Sequence, residues 1–126
     1  MRIVAGKFAG RDLVSPQGSR VRPTSEAVRA AMLDMLREDL PKARILDLFA
    51  GTGALGLEAI SRGAAYADFV EFRPDSLHSL RANIAALRLL KNTRVFRKDA
   101  LPFAAALEAD KYDIACLLYT SDAADE

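Results

Sequence analysis

The 126 residues contain one cysteine, one histidine and no tryptophan. A lone Cys116 excludes an internal disulfide framework. With only His78 beside it, a zinc site built on Cys and His has too few ligands. No apolar run approaches the roughly 20 residues that span a bilayer, and the opening Met1-Arg2-Ile3-Val4-Ala5-Gly6-Lys7 lacks the apolar core of a secretory signal. These absences lead us to expect a cytoplasmic protein with no membrane partner and no metal.

What is present suits one soluble domain. The chain is 51% hydrophobic and 28% charged, which is ordinary for a globular protein. Its net charge of +1 is unevenly spread. Five cations (Arg2, Lys7, Arg11, Arg20, Arg22) stand against Asp12 in residues 1–25, while residues 116–126 carry three acids and no cation. A basic arm can recruit a polyanion by releasing counterions from its phosphates. From charge alone, a solvated basic face is the favoured reading.

Residues 2–5 and 11–14 are short apolar runs bounded by Gly6, Gly10 and Pro16, which predicts a small hairpin or loose strand pair. After a Pro- and Gly-punctuated loop, Thr24 or Ser25 can cap a helix. Val28, Ala31, Met32, Met35 and Leu36 recur at helical spacing, which predicts an apolar face with Met32 and Met35 in the core and Arg29 elsewhere around the helix. From Arg44 onward the rhythm is strand, helix, strand. Strands are expected at 45–48, 66–71, 93–98 and from Tyr112, and helices at 54–62, 74–89 and 101–109. In the third helix Leu77, Leu80, Ile84 and Leu87 share one side, and His78 reads as a surface residue. This alternation over short loops predicts an α/β fold, a parallel sheet covered on both faces.

Asp47-Leu48-Phe49-Ala50-Gly51-Thr52-Gly53 falls between the first strand and its helix, where parallel sheets bind ligands. Gly51, Gly53 and Gly56 also spell a dinucleotide-binding pattern, weak by itself. Three acids shift the reading. Asp47 ends the first strand, where a pyrophosphate would be repelled but the ammonium of a methyl donor can be paired. Glu71 ends the second strand and can accept ribose hydroxyls. Asp99 ends the third and can accept an adenine amine. The bland alternatives are a turn or cap residue for Asp99 and a solvated strand end for Glu71.

The opening Arg2-Ile3-Val4-Ala5-Gly6, Arg22-Pro23-Thr24, the Asp47–Ala59 segment, Ser61-Arg62-Gly63-Ala64 and Val70-Glu71 together resemble the bacterial RsmD-type methyltransferases. The resemblance covers residues 1 to about 115. It implies a Rossmann-like fold that binds S-adenosylmethionine and methylates N2 of guanine(966) in 16S ribosomal RNA, alone or in the ribosomal particle. Asp47, Ala50, Gly51 and Gly53 would hold the methionine end and Glu71 the ribose, with Asp99 and Ala100 flanking the adenine. Arg22 and Thr24 would close the pocket, and Arg2, Lys7, Arg11, Arg20 and Arg22 would touch RNA. Residues 1–43 would then be a substrate arm and 44–115 a partial donor domain holding about four strands.

The family continues its fourth strand into an Asp-Pro-Pro-Tyr type motif that grips the target amine and stacks on a flipped base. Here Tyr112-Asp113-Ile114-Ala115 begins that strand, but no Pro-Pro follows. No catalytic residue is therefore assigned, and this chain is expected to be inactive. Residues 116–126 resemble the in-frame translation of a transposon-type sequencing adapter and are expected to be non-native. Two alternatives stay open: an NAD-dependent oxidoreductase fragment, resting on the glycines and Glu71, and a non-catalytic RNA-binding module, resting on the basic arm.

Overall fold

A computed structural model describes residues 1–16 and 26–117. Helix α1 spans Glu26–Met35, followed by β1 (Arg44–Leu48), α2 (Ala54–Ser61), β2 (Tyr66–Val70), α3 (Pro74–Ala86), β3 (Thr93–Phe96), α4 (Ala100–Ala105) and β4 (Ile114–Leu117). A short 3₁₀ turn, Leu90–Asn92, leads into β3. All pairings are parallel, in the order β3-β2-β1-β4. The expected α/β architecture is therefore present.

The central strands are short apolar runs because both sheet faces are covered. Alternation along β1 sends Ile45 to one side, with Ala67 and Phe69, and Leu46 and Leu48 to the other, with Val70. The first side packs against α1, α2, α3 and the N-terminal segment. The second packs against α4 through Ala100 and Phe103. Helix α3 starts with Pro74 in its first turn and Asp75 near its positive end, both favourable there. Its Leu77, Leu80, Ile84 and Leu87 are buried as expected.

The N-terminal residues form the expected loose pair. Arg2 bridges Asp12 in antiparallel fashion, and the Ile3 and Leu13 amides donate to Arg11 and Met1 carbonyls at 2.9 and 2.8 Å. This pair lies on the end of α2. The Lys7 amide donates to the Ser61 carbonyl at 2.7 Å, and the Ser61 hydroxyl donates to the Ala5 carbonyl at 2.7 Å. Approach is so close at Gly6 that a Cβ there would lie 2.1 Å from the Ser61 carbonyl oxygen.

Three expectations for α1 need correction. Met35 is 85% exposed, and Val28 and Ala31 are exposed too. The inward face is instead Arg29 and Leu33, with Met32 and Leu36 partly buried. Arg29 is fully buried because Glu58 of α2 waits for it: Arg29 Nε donates to Glu58 Oε1 at 3.0 Å, and its Nη2 donates to the Arg2 carbonyl. Arg62 closes on the other oxygen, Glu58 Oε2, at 2.8 Å. Residue-by-residue periodicity scores an arginine as outward, and only its partner, 29 positions away, turns it in.

Candidate functional site

The sheet order sets the location. Strands β1, β2 and β3 step outward in one direction, and the chain then returns to lay β4 on the other side of β1. A crevice opens at the carboxyl end of strands where the order reverses in this way. The glycine loop leaves β1 at that point.

The loop is held from several sides. The Ala50 amide donates to the Val70 carbonyl at 3.0 Å, and the Gly53 amide donates to the Ala50 carbonyl at 2.9 Å. Phe49 has a φ of 55°, a left-handed conformation that is costly for a bulky residue and concentrates at functional sites. Gly53 caps α2 with a φ of 85°, and a Cβ there would strike Leu80 Cδ1 at 2.3 Å. Gly51 differs. A Cβ on it would meet nothing within 4 Å, so the loop presents bare backbone to open space.

Two of the three acids converge on this loop. Asp47 is buried within β1, and its Oδ2 accepts the Gly56 amide at 3.1 Å. Burial raises its pKa to about 8; the Gly56 hydrogen bond opposes the rise and the nearby Glu71 charge adds to it. Glu71 follows β2 directly. Its Oε1 accepts the Gly51 amide at 2.7 Å, and its Oε2 accepts the Phe72 and Arg73 amides, each at 2.9 Å. Asp99 stands apart. The third strand ends at Phe96 rather than at Asp99, which is exposed and precedes α4 without a side-chain capping bond. It borders a hollow of about 660 Å³ shared with Phe96, Phe103 and Leu107. Ala100 is buried in the second core cluster.

The basic residues separate likewise. Arg2 pairs with Glu26, its Nε donating to Oε1 at 3.4 Å. Arg11 Nη2 donates to the Ala86 carbonyl at 3.0 Å. Lys7 is exposed and lies 5.5 Å from the Phe8 ring centroid. Arg20, Arg22 and Thr24 fall outside the described residues, as do residues 118–126 of the expected non-native tail. Cys116 and Leu117, the first two residues of that tail, continue β4 opposite Asp47 and Leu48.

Sequence reading passed over Asn83. It is buried on α3, and its Nδ2 donates to the Thr52 carbonyl at 2.9 Å and the Val14 carbonyl at 3.0 Å, while its Oδ1 accepts the Val14 amide at 2.8 Å. One amide thus ties the glycine loop to the N-terminal segment. A polar residue between Leu80 and Leu87 on an otherwise apolar side was the available signal. Among the described residues, no group of three or more His, Cys, Asp or Glu side chains is arranged to hold a metal ion. No described helix is long and apolar enough to cross a membrane.

Comparison with known proteins identifies the family and the fold. The profile of the family described as conserved hypothetical protein 95 matches residues 1–117. Ribosomal RNA small subunit methyltransferase D of Escherichia coli K12 is 40% identical over 105 residues, which is 83% of this chain and 52% of that protein. The protein of the same name from Buchnera aphidicola of Acyrthosiphon pisum is 32% identical over 112 residues, 89% of this chain and 58% of its own length. The solved structure of yhhF from Escherichia coli superposes with a TM-score of 0.74 at 38% identity, covering 83% of this chain and 56% of that one. The chain spans about half the length of the curated relatives it matches.

Proposed function

The chain belongs to the family described as conserved hypothetical protein 95, the RsmD-type methyltransferases, and on that premise we propose that it is the donor-binding part of an S-adenosylmethionine-dependent ribosomal RNA methyltransferase. The substrate of the whole protein is the exocyclic N2 of a guanine in small-subunit ribosomal RNA, the position 966 type, met as RNA or within the ribosomal particle.

The observation that carries this reading is a buried acid that, among the described residues, has one hydrogen bond and no cation, beside a bare-backbone loop. Asp47 accepts the amide of Gly56, in the first turn of α2. In a dinucleotide site that positive helix end serves a phosphate. Here the Asp47 carboxyl already occupies the Gly56 amide, which leaves that donor unavailable to an NAD pyrophosphate, and on ionising it can pair a ligand's ammonium group. The residues fit S-adenosylmethionine in kind. Asp47 would pair its ammonium, and the open backbone at Gly51 leaves room for its methionine end. Glu71 would take its ribose. A carboxylate has about four acceptor positions, and Glu71 uses three on backbone amides. A diol therefore takes the remaining one and competes with an amide for another. Asp99, beside Ala100, would meet the adenine end.

The bound sulfonium supplies an activated methyl group, and displacement of it needs no metal. The protein's share is positioning. Asp47 and Glu71 fix the donor's two polar ends, while Leu80 and Phe69 pack beneath the loop. The groups that orient the target amine are expected after β4, where this chain shows no Pro-Pro. The 126-residue chain should accordingly bind donor without methylating RNA.

Calorimetric titration tests the reading. Glu71→Gln keeps the shape of the side chain and one carbonyl acceptor but removes the charge. Loss of a charge-assisted hydrogen bond costs about 1.5–3 kcal/mol, so donor affinity should fall roughly tenfold or more. Saturable binding of NAD without binding of S-adenosylmethionine would replace this reading with the oxidoreductase one.

A further inference from the structure

Several cations of the N-terminal arm already have partners within the protein, as described above. Positive charge without an ion pair lies nearby, on the outer face of α3. Arg81 is exposed there, and Arg88 follows the helix with a φ of 58°. Among the described residues neither of the two makes an ion pair. The one acid on the helix, Asp75, is engaged by Arg73 and the Ser76 amide. Arg11 joins the same face from outside, because its bond to the Ala86 carbonyl seats its guanidinium at the negative end of α3. An arginine has five N–H donors, so most of Arg11 remains available.

The residues between these cations are small. Ala82 and Ala85 are exposed, so the helix surface between the arginines is low, and α3 itself carries no exposed large apolar side chain, the nearest along the chain being Leu90. That combination suits a phosphodiester backbone better than a membrane, which would need bulky apolar side chains on the same face. Guanidinium forks match phosphate oxygens in pairs. The opposite side of α3 carries Asn83, which grips the glycine loop and Val14. The cationic face is thus one helix away from the donor loop, and the N-terminal segment connects them.

We propose that Arg11, Arg81 and Arg88 form a docking face for the RNA phosphate backbone on the outer side of α3. This deepens the methyltransferase reading and rests on it for the identity of the RNA. Arg81→Glu/Arg88→Glu is the decisive variant, since both side chains are exposed and unpaired. A short labelled RNA hairpin is titrated with the 126-residue chain across a salt series, and S-adenosylmethionine is titrated separately. The variant should bind RNA at least tenfold more weakly at low salt. Each lost phosphate contact lowers the salt slope by about 0.7–0.9, so its slope should fall by about 1.4–1.8. Donor affinity should not change.

A Lys98→Glu/Lys111→Glu control carries the same charge change beside α4, on the other face of the sheet. An equal loss in the control would mean diffuse attraction and would overturn the assignment. Unchanged RNA binding in the arginine variant would overturn it too, as would tighter binding to vesicles of phosphatidylcholine and phosphatidylserine than to RNA, lost in the same variant. Failure of S-adenosylmethionine to bind the wild-type chain, with the arginine-dependent RNA slope intact, would sink the methyltransferase reading and leave the docking face standing.

Discussion

Helix α2 meets two buried carboxylates, and they are treated in opposite ways. Glu58, in the body of the helix, accepts four hydrogen bonds. Val4 and Arg29 reach Oε1 at 2.9 and 3.0 Å, and Arg62 reaches Oε2 through two nitrogens at 3.1 and 2.8 Å. Asp47, at the first turn of the same helix, accepts one among the described residues, from Gly56, and lies near a second acid instead of a described cation. The first carboxylate is complete within the fold. The second has no counter-charge among the described residues. A buried acid that the fold leaves without a cation is a mark of a site built for a ligand, and a buried acid with two guanidiniums is a mark of a joint between segments.

The largest effect expected from breaking this contrast is at the joint. Glu58→Gln leaves Arg29 buried with its counter-charge gone. Removal of one partner of a buried ion pair costs about 3–5 kcal/mol, a large share of the 5–15 kcal/mol that holds typical domains. Urea denaturation should show a much lower midpoint, and the N-terminal segment should loosen with it, because the Val4 amide and the Arg2 carbonyl belong to the same cluster. A midpoint equal to wild type would mean that Glu58 and Arg29 contribute no more than an exposed pair.

The same change at Asp47 should behave differently. With the folded pKa raised to about 8 and the unfolded value near 3.9, the folded protein holds a proton that the unfolded chain has lost. The contribution of this group is therefore full below about pH 4, shrinks as pH rises toward about 8, and is level above that. Asp47→Asn should remove this dependence, so that wild type and variant converge at acid pH and the variant is the more stable of the two at alkaline pH. Urea midpoints at a series of pH values check it; a wild type that gains on the variant as pH rises would show the carboxyl ionised in the folded protein. A bound ammonium should favour the ionised carboxylate, so donor binding in that range should release a proton, which calorimetry in buffers of different ionisation enthalpy would detect.

Asp47 and its glycines were legible because strand, loop and helix follow one another within a dozen residues, and each signal is local. The leucines of α3 were legible for the same reason. The joint was not. Arg29 and Glu58 are 29 positions apart, and each looks like a surface residue in its own window. Their burial also rotates α1, which is why Met35 faces outward although its spacing suits a core position. Asn83 was hidden similarly, since its two partners are a loop carbonyl and the backbone of Val14, 69 residues earlier. At Asp99 the acid was readable but the strand end was not, because β3 stops at Phe96 and leaves a turn before α4.

The smallest effect tests whether burial, rather than hydrogen-bond count, separates the carboxylates. Asp113 precedes β4 and is well supplied with donors. The Arg44 amide and Nε reach its Oδ2 at 2.8 and 3.1 Å, and Arg44 Nη2 reaches Oδ1 at 3.0 Å. By count it resembles Glu58. By exposure it does not: the two side chains are 42% and 45% exposed. Arg44 holds the Asp113 pKa down to about 2, first by the side-chain hydrogen bond and then by its amide. A lowered folded pKa contributes stability above the unfolded value, and that contribution is lost as pH falls toward about 2. Water screens both partners, however, and exposed pairs of this kind are worth little even with good geometry. Asp113→Asn at neutral pH should therefore leave the urea midpoint almost where it was, while Glu58→Gln moves it far. If the two variants lost comparable stability, the number of donors around a carboxylate would be the governing quantity, and Asp47, with only one, could no longer be distinguished from Glu58 by its missing cation.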